Sequence, residues 1–141
     1  MFAPRWVIPG VLARSARPGR HLGPYSEVPR EEVDGWLSNL REMGIRSILC
    51  LLDDLHLRLY PGLPGGLLEY YRRSGFAVAH VLMRDPEAGG VITEKALEKA
   101  RRAFEELPKP VLVHCSAGRD RTGKAVDYIL RWLGGAAVDQ E

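Results

Sequence analysis

Residues 111–123 read Val-Leu-Val-His-Cys-Ser-Ala-Gly-Arg-Asp-Arg-Thr-Gly. The three apolar residues that open this stretch follow Pro110 and include two β-branched side chains, which predicts a short buried strand. Further on, apolar residues recur at helical spacing from Ala125 to Leu133, and Gly134-Gly135 predicts the end of that helix. The chain is therefore predicted to pass from a strand through a glycine-containing loop into a helix.

This order of elements predicts a site for an anion. Loop amides and the unpaired amides of the first helical turn converge on one point, where the helix dipole favours negative charge. Cys115 is predicted at that point, and a thiol close to arginines and a helix N-terminus ionises readily. Arg121 offers a planar fork that matches two phosphoryl oxygens, and Thr122 can direct its hydroxyl at the sulfur. The loop is predicted to hold a phosphate against a thiolate.

The pattern His114-Cys115, five residues, then Arg121-Thr122-Gly123 resembles the signature of the cysteine-dependent protein tyrosine and dual-specificity phosphatases. The segment from Leu12 to Pro18 is similar to an Arg-Ser-x-x-Pro element of small bacterial and archaeal dual-specificity-like members. The resemblance implies attack by Cys115 on phosphorus, a cysteinyl-phosphate intermediate and its hydrolysis by water, with no metal and no cofactor.

The resemblance also implies roles for the rest of the loop. Cys115, Arg121 and Thr122 are expected to be catalytic, and His114 is expected to support the loop by hydrogen bonding. The phosphate-binding residues are expected to be Ser116, Ala117, Gly118, Arg119, Asp120 and Arg121. We expect Gly118 to let the backbone approach the anion closely. Arg119 is interpreted either as a contact for a second phosphate or as a surface charge.

The reaction needs an acid that protonates the leaving group. Asp85 is the preferred candidate, because it lies 30 residues before Cys115 in a segment whose glycines would permit a moving lid. Glu87 is the neighbour best suited to substitute for it. Asp120 is the competing candidate, since it lies inside the loop, where its carboxylate could instead cap loop amides.

Two other classes of protein share part of this pattern: a nucleotide-hydrolysing P-loop protein and an inactive phosphate-binding module. Gly118, Gly123 and Lys124 fit most of a Walker A pattern, but Ala125 stands where that motif needs Ser or Thr for magnesium. The acidic strand end at Asp53-Asp54 also comes before the loop instead of after it. A phosphate-binding module without activity would lack the cysteine, the arginine or the acid, and all three are present.

The substrate is less well defined than the chemistry. The short chain favours a shallow pocket that accepts phosphotyrosine and also phosphoserine and phosphothreonine in proteins. Hydrolysis of phosphoinositides or inositol phosphates is the alternative, suggested by Arg119-Asp120-Arg121. Tyrosine side chains would line the pocket or pack in the core; the candidates are Tyr25, Tyr60, Tyr70 and Tyr71.

Composition bounds the remaining properties. The net charge is +2, so the arginines near the N-terminus, Arg14, Arg17 and Arg20, are interpreted as solvated surface and not as a nucleic-acid footprint. No apolar run is long enough for membrane insertion, and with two cysteines we expect a reducing, cytoplasmic setting. His21, His56 and His80 have no metal-ligand spacing and are interpreted as ordinary surface or core residues. The oligomeric state is left open.

Cys50 and Gln140 each have alternative interpretations. Cys50, in an apolar segment, is interpreted as a core residue, and alternatively as a thiol that resolves oxidised Cys115 through a disulfide. The resemblance also implies a glutamine or similar residue, beyond the arginine helix, that positions the hydrolytic water. Here Gln140 is nearly terminal. Three interpretations stay open: the chain is a minimal version, Asp85 and Thr122 position the water, or the chain is incomplete.

Strands and helices alternate along the chain. Periodicity and cap residues predict a hairpin over 6–12, a helix over 31–43, a strand over 47–52, a weak helix over 65–74, a strand over 77–83 and a helix capped by Thr93 that reaches Leu107. We therefore expect one α/β domain, residues 1–141, with a central mainly parallel sheet flanked by helices on both faces. The phosphate-binding loop should lie at the carboxyl end of a strand.

Overall fold

The computed structural model describes residues 3–137, and in this part of the chain the strands form a single five-stranded sheet of order β1-β2-β5-β3-β4. Strands β1 and β2 are antiparallel, and the other neighbours are parallel. The strands are β1 (Arg5–Ile8), β2 (Leu12–Ser15), β3 (Ser47–Cys50), β4 (Ala77–His80) and β5 (Val111–His114).

Helices connect the parallel strands. They are α1 (Arg30–Met43), α2 (Asp54–Leu57), α3 (Gly66–Arg73), α4 (Glu94–Glu106) and α5 (Asp120–Ala137), with 3-10 turns at Arg20–Leu22 and Pro86–Ala88. Helix α4 begins where predicted, because the Thr93 hydroxyl accepts a hydrogen bond from the Ala96 amide at 3.1 Å. Among the described helices, none is both long and apolar enough to cross a membrane.

Successive side chains of each strand point to opposite faces of the sheet, and helices cover both faces. In β3, Ile48 and Cys50 belong to the core formed with α1 and α3, whereas Leu49 belongs to the core formed with α4 and α5. The mainly parallel sheet flanked by helices on both faces is confirmed.

Three predicted boundaries were wrong, at the ends of β3, β4 and α5. Strand β3 ends at Cys50 and not at Leu52. Helix α5 begins at Asp120 and runs through Gly134-Gly135 to Ala137, although each glycine costs about 1 kcal/mol in a helix interior. The buried stripe of Ala125, Val126 and Ile129 provides the packing that outweighs this cost. Strand β4 ends at His80 and not at Met83, because its partner β3 ends at Cys50 and leaves no continuous ladder beyond it.

The topology brings the segments that follow four strands to one edge of the sheet. Ser15 and Cys50 lie on either side of His114 in the register, and His80 lies beside Cys50. These residues end β2, β3, β5 and β4, so the chain leaves all four parallel strands at the same place. Residues after 15, 50, 80 and 114 therefore meet around one site.

Candidate active site

The loop between β5 and α5 is fixed by the segment that follows β2. The Arg17 amide donates to the Ser116 carbonyl at 2.9 Å, and Arg14 Nη2 donates to the Gly118 carbonyl at 2.9 Å. Gly118 has a φ of 76°, and a Cβ there would lie 2.7 Å from the backbone of Ser15 and of Ala16. The glycine is thus required by the packing of two backbones, and its missing side chain faces β2 rather than the anion as expected.

The loop forms one wall of a cavity of about 40 Å³, which has room for a few water molecules or one phosphoryl-sized group. The cavity brings together residues from four separate parts of the sequence. From the loop and α5 come Cys115, Ser116, Ala117, Asp120 and Arg121; from the other segments come Arg20, Pro24, Tyr25, His56, Asp85 and Glu87. Cys115, Arg121 and Asp85 therefore share one cavity, although 30 residues separate the acid candidate from the cysteine.

Arg121 is held in a defined position. It is 2% exposed, and its Nη1 donates to the Met83 carbonyl at 2.9 Å. The same nitrogen lies 3.8 Å from Asp53 Oδ2, and Nη2 lies 3.6 Å from Asp85 Oδ2. These partners lie in the segments that follow β3 and β4. The arginine, which is on α5, is therefore oriented by two other parts of the chain.

Asp53 is a site residue that the sequence analysis did not assign. Its Oδ1 accepts from the His56 amide at 3.2 Å and from His56 Nδ1 at 2.9 Å, and its Oδ2 accepts from the Asp85 amide at 3.4 Å. Burial would raise the pKa of Asp53, but the His56 hydrogen bonds and the charge of Arg121 lower it overall. The sequence signal that could have identified Asp53 was its position directly after a buried strand.

His56 was interpreted as an ordinary surface or core residue, but its ring lines the cavity. The ring is 2% exposed and stacks on Tyr25, with centroids 5.8 Å apart. Burial lowers the pKa of His56, against the opposing effect of Asp53. Since a carboxylate only accepts hydrogen bonds, Nδ1 carries the proton and the neutral ring is oriented by Asp53.

His114 lies at the end of β5 and forms a hydrogen bond with the backbone of the loop. It is fully buried, with Nδ1 3.0 Å from the Cys115 carbonyl and Nε2 3.0 Å from the Tyr71 hydroxyl. Burial lowers its pKa to about 4, and the charges of Arg17 and Arg121 act in the same direction. The neutral ring therefore donates from Nδ1 and accepts from Tyr71. This pair fixes the backbone of the cysteine.

The remaining predicted site residues differ in their exposure. Thr122 is fully buried, and its Oγ1 makes no hydrogen bond within residues 3–137, to the sulfur or elsewhere. Asp120 and Arg119 are exposed. Glu87 is also exposed, and its amide donates to Asp85 Oδ1 at 3.0 Å.

The interpretation of Arg14, Arg17 and Arg20 as solvated surface was wrong. Arg17 is 1% exposed, Arg14 is partly buried against Gly118, and Arg20 lines the cavity. The reason is topological, since β2 lies beside β5 and its carboxyl end opens directly behind the loop. The Arg-Ser-x-x-Pro similarity was the sequence signal for this placement.

Cys50 and the tyrosine candidates have distinct surroundings. Cys50 packs in the core with α1 and α3, whereas Cys115 packs in the core with α4 and α5. Burial raises the pKa of the Cys50 thiol to about 12, which does not favour a resolving role. Of the four tyrosines, Tyr25 lines the cavity, Tyr60 and Tyr71 are buried, and Tyr70 donates to Asp34. Gln140 lies outside the described residues.

Part of the chain resembles a known protein family. The model of the tyrosine phosphatase family matches residues 77–139, which include the acid candidate, the loop and α5. None of the curated proteins that were compared matches the chain.

Solved structures share the fold. Tk-PTP, in a mutant form, superimposes with a TM-score of 0.64 at 23% identity over 96% of this chain and 75% of its own. Kinase associated phosphatase gives 0.65 at 20% identity, over 86% of this chain and 65% of its own. The core catalytic domain of the PP-IP phosphatase SIW14 from S. cerevisiae gives 0.55 at 23% identity, over 94% and 66%.

At these identities the structures establish the fold, and the chain spans 65% to 75% of their lengths. The family model adds the segment that carries the cysteine and the arginine. Residues 77–139 thus resemble the tyrosine phosphatase family, and they lie on a fold that the solved phosphatases share.

Proposed function

We propose that the chain is a phosphomonoester hydrolase that removes phosphate from phosphotyrosine in proteins through a cysteinyl-phosphate intermediate. The observation that carries this proposal is the shared cavity, in which Cys115, Arg121 and Asp85 meet and the arginine lies 3.6 Å from the aspartate. A nucleophile, a fixed cation and an acid around a space for one phosphoryl group are the parts that the reaction needs.

The reaction proceeds in two steps. The Cys115 thiolate forms a bond to phosphorus, the bond to the leaving oxygen breaks, and Asp85 gives that oxygen its proton. Water then attacks phosphorus, its proton passes to Asp85, and the electron pair of the broken phosphorus–sulfur bond returns to Cys115. Arg121 and the loop amides stabilise the charge on the phosphoryl oxygens throughout.

The mouth of the cavity supports an aromatic substrate. Tyr25 is 55% exposed and its ring is held by stacking on His56, so one face is available to a substrate ring. Leu22, close by in sequence, is 43% exposed and adds apolar surface. The cavity itself is small, which supports a shallow site and dual specificity toward phosphoserine and phosphothreonine.

The alternative substrates are phosphoinositides and inositol phosphates. Arg20 lines the cavity, and Arg119, Lys124 and Arg131 line a neighbouring cleft that shares Asp120 with it. SIW14, a PP-IP phosphatase by name, has a similar fold. Values of kcat/KM for phosphotyrosine peptides and inositol polyphosphates separate the two, and a strong preference for the latter would replace the protein substrate.

The decisive experiment is hydrolysis of a chromogenic aryl phosphate in the presence of a chelator. We expect wild-type activity to persist, Cys115→Ser to abolish it and Asp85→Asn to lower kcat by about 10²- to 10⁴-fold. Cys50→Ala is the matched control for the other cysteine and should keep activity. Undiminished hydrolysis by Cys115→Ser, or loss of wild-type activity with chelator, contradicts the mechanism.

We propose a cytoplasmic setting and a single domain over residues 1–141. Both described cysteines are free thiols, and the reaction requires Cys115 to stay reduced. The expected substrates are phosphorylated proteins, with small phosphomonoesters as the simpler alternative.

A further inference from the structure

Arg17 is a buried cation behind the loop. Its side chain is 1% exposed, and within residues 3–137 its hydrogen-bond acceptors are all neutral oxygens. Nε donates to Ser116 Oγ at 3.2 Å and Nη1 to the Tyr60 hydroxyl at 3.2 Å. Nη2 donates to the carbonyls of Gly23 at 3.3 Å and Pro24 at 3.0 Å. A guanidinium stays charged in any protein environment, so this charge is permanent.

The described chain provides no counter-ion for this charge. Within residues 3–137, no carboxylate lies at ion-pairing distance from Arg17, whereas Arg121 is close to both Asp53 and Asp85. The buried hydroxyl that accepts from Arg17 is not an anion, because burial raises the pKa of Tyr60 to about 12. Burying a cation without an anion is costly, so a partner is expected elsewhere.

The position of Arg17 indicates which anion that is. Ser116 and Pro24, two of its acceptors, line the cavity that holds Cys115. The guanidinium therefore lies directly behind the cavity wall. Arg17 also lines a larger cleft beside α1, but only 1% of it is exposed. Across buried protein a charge acts more strongly than through solvent and is screened little by salt.

We propose that Arg17 is a second fixed positive charge of the phosphate site, which stabilises the bound phosphoryl dianion from behind Ser116. The inference rests on the proposed function, since the anion is the phosphoryl group of that reaction. Arg17 does not touch the substrate. It acts through the loop as a positioning and electrostatic residue, while Arg121 binds the phosphoryl oxygens directly.

The test is the affinity of the protein for inorganic phosphate, measured by calorimetry and by the phosphate dependence of Tm. Arg17→Gln keeps an amide donor and removes the charge, so affinity is expected to fall by about tenfold or more. Arg17→Lys keeps the charge with fewer hydrogen bonds, and its affinity is expected to stay within about threefold of wild type.

Two control variants separate charge from scaffold. Tyr60→Phe removes one acceptor of Arg17 without changing any charge, and should bind phosphate like wild type. Arg46→Gln removes an exposed arginine at the amino end of β3, far along the strand from the site, and controls for net charge.

Either of two results overturns the proposal: wild-type phosphate affinity in a folded Arg17→Gln, or a loss of about tenfold or more in both folded Arg17→Lys and folded Tyr60→Phe, which keep the charge. The second result applies even if Arg17→Gln does not fold. Phosphate binding needs no turnover, so the proposed function fails separately, through hydrolysis that survives Cys115→Ser.

Discussion

At the residue scale, the reactive groups are held by hydrogen bonds and ion pairs to neighbouring residues. Arg121 is held by Met83 and lies close to two carboxylates, and the peptide of Cys115 is held by His114. Asp53 links three residues of the site, because it lies close to Arg121 and accepts hydrogen bonds from His56 and from the amide of Asp85. Such partners fix the geometry that electrostatic catalysis requires.

Asp53→Asn tests this role. The variant removes the charge beside Arg121 and weakens the acceptor of His56 Nδ1, so kcat/KM for an aryl phosphate is expected to fall by about ten- to a hundredfold. Asp54→Asn is the matched control, since Asp54 is adjacent and exposed. Steady-state kinetics of both variants provides the measurement, and equal activity in the two would remove Asp53 from the site.

Substrates with different leaving groups distinguish the two candidate acids, Asp85 and Asp120. If Asp85 protonates the leaving oxygen, Asp85→Asn loses much more activity on alkyl and phenyl phosphates than on a nitrophenyl phosphate, whose anion needs no proton. Asp120→Asn, at an exposed position of the same cavity, should lose about equal activity on all of them. A reversal of the two patterns would assign the acid to Asp120.

At the element scale, the loop is shaped by its contact with the segment after β2. The backbones approach so closely at Gly118 that a side chain has no space, and its positive φ disfavours any other residue. The loop therefore depends on a strand that is about 100 residues away in sequence, as shown by the pairing of Arg14 with Gly118.

Gly118→Ala is expected to lower the free energy of unfolding by about 3 kcal/mol and to abolish most activity, because both strain and a clash arise. Gly10→Ala is the control, since Gly10 has the same sign of φ but open space around it. That variant should lose only about 1 kcal/mol and keep its activity. Urea unfolding and aryl phosphate hydrolysis measure both effects, and equal losses would show that the contact with β2 is unimportant.

At the scale of the whole molecule, buried histidines make folding sensitive to acid. The pKa of His114 is about 4 in the folded protein and near 6.5 in an unfolded chain, so the unfolded state binds more protons between these values. Stability is therefore complete above about pH 6.5 and falls as the pH drops toward 4. The lowered pKa of His56 acts with the same sign.

The loss due to His114 is expected to be on the order of 3 kcal/mol between pH 6.5 and 4. His114→Asn keeps a donor near the Cys115 carbonyl without the titration, so its unfolding free energy should depend less steeply on pH. Urea unfolding followed by tryptophan fluorescence at several pH values measures the slopes. Parallel curves for wild type and variant would contradict the assignment, and His21→Asn, at an exposed histidine, provides the control.

Local sequence was sufficient for most elements. Three signals act over only a few residues and can be recognised without knowledge of the fold. They are the apolar periodicity of α1 and α4, the cap at Thr93 and the β-branched run at β5. The end of α5 and the length of β4 were misjudged because they depend on packing and on a partner strand.

The sequence by itself determined the loop. Cys115 and Arg121 lie six residues apart on one continuous strand, loop and helix, so the covalent chain keeps them close together. Only the tertiary structure decided what surrounds it. Asp53, His56 and Arg17 follow other strands. His56 lines the cavity and the other two contact residues that line it, because parallel strands end at one edge of the sheet. Strand order is set by packing between distant segments, and no local pattern encodes it.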